Sequence, residues 1–353
     1  MIDNIEDLLY NIKLKSYRGG RTSPQVKNMT GVYEGYGETV SAKNGFRGVC
    51  GRIGLTMLFH TLLIYLLFWL KYLLDAPLRA FADAHAGIFG AYAADIASGC
   101  SEAVAYLLSF MLPVAFFRLI SVRRNIQPMR LGVRFSSNTA AWIIFAVAAT
   151  VAASYVNYWI VRFAGVPSYE GEELPNDAVG IIISFMCTAL VPAICEEFLF
   201  RSCILSNLLP YGKSAAIIGS AVLFALMHNN VQQFFYTAVA GLILGWVYAE
   251  TGSVWTCTFI HMLNNAVSVF MPAFCDRFHP AASVLISCLF DAVLLAAGVA
   301  AGAFLINSRA AERKSLPTDA DCNVCERGNL RGFFTPAMIV YFALALILAV
   351  LNI

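Results

Sequence analysis

Nine apolar stretches, each long enough to cross or nearly cross a bilayer, constrain this chain more than any single motif does. They cover approximately 53–75, 98–120, 139–163, 178–209, 213–229, 231–250, 254–272, 281–307 and 334–353. The fifth is short, and the sixth follows it with almost no loop. In hydrocarbon every backbone N–H and C=O has to find its partner within the protein, so runs of this kind fold as helices. The expected class is all-α: a polytopic transmembrane helical bundle of about eight or nine spans. Composition agrees, because 59% of the residues are hydrophobic and only 13% are charged, against about 25% charged in a soluble domain. Segment 76–97 is mixed and Ala-rich, and reads as an interfacial or short external helix. The expected regions are a polar tail 1–52, N-terminal helices 53–163, a central group 178–272, and C-terminal helices 273–353 interrupted by a loop at 308–333.

The basic residues orient this map. The tail carries Lys13, Lys15, Arg18, Arg21, Lys27, Lys43, Arg47 and Arg52. Two further clusters fall on alternate loops: Arg118, Arg123, Arg124, Arg130 and Arg134, then Arg309, Arg313, Lys314, Arg327 and Arg331. The intervening loop at 164–178 is acidic, with Glu170, Glu172, Glu173 and Asp177. The positive-inside rule then puts the N-terminus in the cytoplasm and, with nine spans, the C-terminus outside. No apolar core follows a short basic start, so the first span is expected to be an uncleaved anchor. A net charge of +2 gives no nucleic-acid footprint. Of the ten cysteines, Cys187, Cys195, Cys203, Cys257 and Cys288 sit in apolar stretches and read as small hydrophobes. Cys322 and Cys325 form a lone C-x-x-C with no second pair to complete a zinc site.

Against this background, "ICEEFLFRSCIL" at 194–205 puts two glutamates and an arginine at membrane depth, where each charge costs roughly 2.5 kcal/mol or more. Glu197 and Arg201 are four apart and share a helix face, so they can neutralise each other. Glu196 is turned about 100° away and stays free to react. Downstream, "FALMH" sets Phe224 four before His228, and "HMLNN" sets His261 four before Asn265. Counted from the turns "LLPYGKS" and "ETGS", the depths agree. Glu196 lies about 20 Å up its helix, His228 about 24 Å, His261 about 13 Å and Asn265 about 20 Å, at 1.5 Å per residue. Four polar groups in one slab of the bilayer are expected to face a common, hydrated cavity. Pro192, four before Glu196, is expected to kink the helix. Gly241 and Gly245 form a G-x-x-x-G read as close helix packing inside the bundle.

Such a cavity suits hydrolysis. Glu196 is the candidate base that takes a proton from water, with His228 sharing that water, while His261 and Asn265 donate to an oxyanion. A second arrangement makes Glu196, His228 and His261 ligands of a zinc ion. The residues alone leave both open, though H-E-x-x-H is absent.

"EEFLFR", "FALMH" and "HMLNN", in this order on consecutive spans, resemble the CPBP intramembrane proteases, the CAAX prenyl endopeptidase type II and bacteriocin-processing (Abi) family. The resemblance covers about 178–272. It implies a helical membrane bundle with an endopeptidase site inside it, acting on a peptide or membrane-associated protein, in contact with lipid. Carried onto this chain, Glu196 activates water, His228 is its partner, and His261 with Asn265 forms the oxyanion side. Glu197 and Arg201 are supporting residues, as is Phe224 beside His228. The metal-free reading is preferred, since Asn265 suits an oxyanion better than a fourth ligand. A bacterial plasma membrane is the expected setting, and prenylated substrates do not follow from the motifs. Two rivals remain at this stage. A proton-coupled transporter would be expected to show internal repeats, and no second E-E-x-x-x-R or H-x-x-x-N pattern occurs in the N-terminal half. A catalytically inactive scaffold would not need all four polar residues. His60, His85, His279 and Asp291 have no partner visible in sequence, and Asp291 is expected to pair within the bundle.

Overall fold

The computed structural model describes residues 45–85, 87, 90–122, 126–127, 137–166, 177–315 and 330–351, and among these every regular element is a helix. They are α1 (Phe46–Ala84), α2 (Ala93–Leu119), α3 (Ser137–Phe163), α4 (Ala178–Tyr211), α5 (Lys213–Met227), α6 (Val231–Thr251), α7 (Val254–Cys275), α8 (Pro280–Ser315), α9 (Leu330–Phe333) and α10 (Pro336–Leu351). Seven are long and apolar enough to cross a membrane, whereas α5 and α10 are shorter apolar helices. The all-α bundle expected from the sequence is therefore the observed fold. The charged tail up to Lys43, Arg123, Arg124, Arg130, Arg134, Glu170, Glu172, Glu173, Cys322, Cys325 and Arg327 lie outside the described residues.

Two boundaries differ from the sequence reading. Segment 76–97 is not a separate helix: its first part continues α1 to Ala84, and its last part opens α2 at Ala93. Its alanines favour continuation, and an Asp75–Arg79 ion pair of 2.9 Å bridges one turn across Pro77. Arg79 also pairs with Asp95 at 3.0 Å, and the Ser98 hydroxyl donates to Asp75 at 2.6 Å, so the same charges clasp α1 to α2. The loop expected from 308 begins later, because α8 runs on through a stretch of good helix formers to Ser315.

The bundle is apolar on its outside and charged at its centre. Leu62, Tyr72, Phe163, Val293 and Val299 are 64–83% exposed, as lipid-facing side chains are. Leu199, Phe200, Arg201, Ile204 and Leu205 of α4 are fully buried. α4 is packed by α2, α5 and α7, so three helices outside it can deliver side chains to its glutamates. Close approach of α6 to α5 runs through Gly241, where an added Cβ would lie 2.9 Å from the Ala221 Cα. At the end of α6, Gly252 adopts a left-handed φ of 64° and donates to the Tyr248 carbonyl. Ser253 then caps α7, so the "ETGS" turn reverses the chain within a few residues.

Candidate active site

The site is built around an irregular stretch of α4. Pro192 has no N–H, and in an α-helix that N–H would bond the carbonyl of Thr188. The chain responds with a wide π-helical stretch, Phe185–Leu190, before returning to α-helix over Val191–Glu197 and opening again at Phe198–Leu205. π-turns of this kind mark functional sites more often than chance. The Thr188 carbonyl accepts a hydrogen bond from Asn265 Nδ2 of α7 at 3.1 Å. Glu196 and Glu197 thus sit on the short regular segment between two wide ones, braced from α7.

Both carboxylates are buried, Glu197 completely and Glu196 to within 4%. Arg201 Nε stands 3.0 Å from Glu197 Oε2, an ion pair off the axis of a hydrogen bond. The guanidinium lies 4.7 Å over the Phe224 ring, and its Nη2 donates to the Gly241 carbonyl at 3.4 Å. The other oxygen of Glu197 accepts from His261 Nδ1 at 2.9 Å. An ionised carboxylate only accepts, so Nδ1 carries the hydrogen and Nε2 is the nitrogen left available. That Nε2 is 3.9 Å from Glu196 Oε2, too far for a direct bond and near enough for a shared water. Arg201, Glu197 and His261 thereby form one chain of contacts ending at Glu196.

Glu196 is turned away from this ion pair, as the 100° offset requires. Its Oε1 accepts from the Tyr106 hydroxyl of α2 at 2.5 Å, while Oε2 has no hydrogen-bond partner among the described residues. Tyr106 has no signal in the sequence: it is one of fifteen tyrosines, outside every motif. His228 ends α5 and turns its Nδ1 to the Phe224 carbonyl at 2.8 Å, leaving Nε2 available. It lies within electrostatic reach of both Glu196 and His261. Phe224 packs edge-on against both imidazoles, with ring centroids 5.0 Å from His228 and 6.0 Å from His261. Beside His228, Asn229 adopts a left-handed φ of 46°, a conformation asparagine tolerates at a helix end.

The structure therefore brings Glu196, Glu197, Arg201, His261, Phe224 and His228 together. Asn265, one helical turn after His261, also makes contacts of its own. It braces the Thr188 carbonyl and accepts from Asn264 Nδ2 at 3.2 Å, while Asn264 also bonds the Tyr236 hydroxyl. One amide hydrogen of Asn265 remains for another acceptor. Among the described residues no three of His, Cys, Asp and Glu stand close enough to hold a metal ion. Glu196, His228 and His261 do not fit as a ligand set in this arrangement, and no step below runs through a metal. Asp291 of α8 accepts from the Tyr155 hydroxyl of α3, an exposed contact between two helices rather than one buried in the bundle. His60 has a partner in space: its buried ring packs on Phe110 at 4.4 Å, and Phe110 stacks on Tyr106 at 4.8 Å.

Residues 178–267 match the family model described as Type II CAAX prenyl endopeptidase Rce1-like. Among curated proteins, the chain is similar to one from Bacillus subtilis (strain 168) named "Putative membrane peptidase YdiL". The two are 22% identical over 181 residues, which cover 50% of this chain and 72% of that protein. No solved structure matches the chain. On its bundle of membrane-length helices the chain is an integral membrane protein, and its central stretch 178–267 is similar to the Type II CAAX prenyl endopeptidase Rce1-like family.

Proposed function

We propose that the chain is an endopeptidase that hydrolyses a peptide bond inside the membrane with a water activated by Glu196, without a metal. One observation carries this reading: Glu196 is a buried carboxylate with one oxygen held by Tyr106 and the other unpartnered, 3.9 Å from His261 Nε2. A buried carboxylate oxygen without a partner needs a reason, and a reacting water supplies one.

In this mechanism the water donates one hydrogen to Glu196 Oε2 and its oxygen attacks the scissile carbonyl carbon. The C–O bond forms as the water O–H breaks, and the proton rests on Glu196. It then passes to the leaving nitrogen as the C–N bond breaks. His228, with Nε2 available, holds the water or receives the departing amine. His261 is fixed in one orientation by Glu197, and Glu197 in turn by Arg201, the arrangement in which a carboxylate orients a catalytic imidazole. Because Nδ1 carries the neutral ring's hydrogen, His261 donates to an oxyanion only as imidazolium. Asn265 contributes its remaining N–H on the same side.

The test uses the purified full chain in proteoliposomes and a proteome-derived peptide library, with cleavage read by mass spectrometry. Glu196→Gln keeps the shape and removes the base, and general-base loss is worth roughly 10²–10⁴ in rate. Cleavage by this variant at the wild-type rate rejects Glu196 as the base. Chelation followed by added zinc tests the metal-free mechanism: unchanged activity supports it, and loss restored by zinc overturns it.

A further inference from the structure

A cavity of about 300 Å³ adjoins the site, and the mechanism above uses only Tyr106 and His228 of its lining. α1 supplies Ile64, Tyr65 and Phe68 to its wall, and the end of α5 supplies Met227 and Asn229. Tyr106 and His228 complete it. Tyr106 is the residue whose hydroxyl holds Glu196, so the cavity begins one side chain away from the proposed base. Among the described residues no carboxylate, lysine or arginine lines it. A cavity of roughly 150 Å³ already accepts benzene, so this one has room for a large side chain and is at the lower end of ligand pockets.

We propose that this cavity is a substrate subsite that receives a large apolar side chain, aromatic or branched aliphatic, from a residue next to the scissile bond. The proposal rests on the endopeptidase reading. Continuity with the site argues for this occupant: a peptide whose carbonyl lies between Glu196 and His228 has its neighbouring side chain directed at the wall that Tyr106 and His228 share. Ile64 and Phe68, one helical turn apart on α1, then set the depth of the subsite. Its occupant is selected by volume and apolarity.

The experiment uses full-length protein in proteoliposomes, the proteome-derived peptide library, and the variants Ile64→Trp and Phe68→Ala. Wild type is expected to favour Phe, Tyr, Leu or Met at one position flanking the cleaved bond. Ile64→Trp fills the cavity and should move that preference toward Gly and Ala, by roughly tenfold or more in relative kcat/KM. Phe68→Ala enlarges it and should admit Trp. Other positions should not change. Unfolding temperatures check that each variant is folded, and Ile64→Phe replaces Ile64→Trp should the larger ring prevent folding. Cleavage retained with the same preference in all variants overturns the subsite. So does native mass spectrometry that finds a phospholipid on wild type and not on Ile64→Trp, together with an unchanged preference. A wild-type protein that cleaves no peptide overturns the endopeptidase reading itself, an outcome distinct from both.

Discussion

Two neighbouring glutamates on one helix take different parts because of where a 100° rotation sends them. Glu197 meets Arg201 and His261, and Glu196 meets Tyr106. Tyr106→Phe keeps the ring and removes only the donor. A hydrogen bond to a charged group is worth about 1.5–3 kcal/mol, so kcat is expected to fall about 10–100-fold with KM and the side-chain preference unchanged. A fall in KM-dependent binding alone would show that the hydroxyl serves the substrate and not Glu196. The Glu197–Arg201 pair was legible in the sequence because i,i+4 spacing is a local rule. The His261–Glu197 contact was not, since 64 residues separate the pair and only folding sets which nitrogen meets which oxygen. Tyr106 could not be read at all, because its partner lies on another helix 90 residues away.

At the scale of elements, the irregular course of α4 and the α5–α6 contact place these side chains. The sequence announced a disturbance at Pro192. It did not announce that wide turns would flank the glutamates on both sides, nor that Asn265 would cap the carbonyl that proline leaves without a partner. Both depend on α7 lying alongside. The G-x-x-x-G was legible as packing, and its two glycines differ in consequence. A Cβ at Gly241 meets the Ala221 Cα at 2.9 Å, which is backbone and cannot yield without the helices separating. At Gly245 the nearest atom is the Ile217 Cγ2 at 3.2 Å, at the end of a side chain. Gly241→Ala is expected to destabilise the protein by about 1–3 kcal/mol and to lower activity by displacing the carbonyl that Arg201 contacts, whereas Gly245→Ala should be milder in both. Thermal unfolding in detergent, with cleavage assayed in parallel, compares them.

For the whole molecule, the fold class was legible because hydrocarbon leaves so few alternatives, and the motif-bearing half was legible because its turns sit close to its polar residues. Helix ends were less so: α1 and α8 run past the points where hydrophobicity stops, since alanine and charged helix formers continue them. The orientation in the membrane makes a test of its own. With the native cysteines replaced, Ser214→Cys and Arg277→Cys mark the start of α5 and the turn after α7, both exposed positions. A membrane-impermeant maleimide should label them from opposite sides, Ser214 from the cytoplasm, and labelling from one side would break the alternating path. Between these points α5 has only 15 residues, a rise of roughly 22 Å in a hydrocarbon layer about 30 Å thick. A span shorter than the layer it crosses is met by local thinning of the bilayer. On the proposed hydrolysis, a thinned leaflet beside this short helix would bring the aqueous phase toward His228.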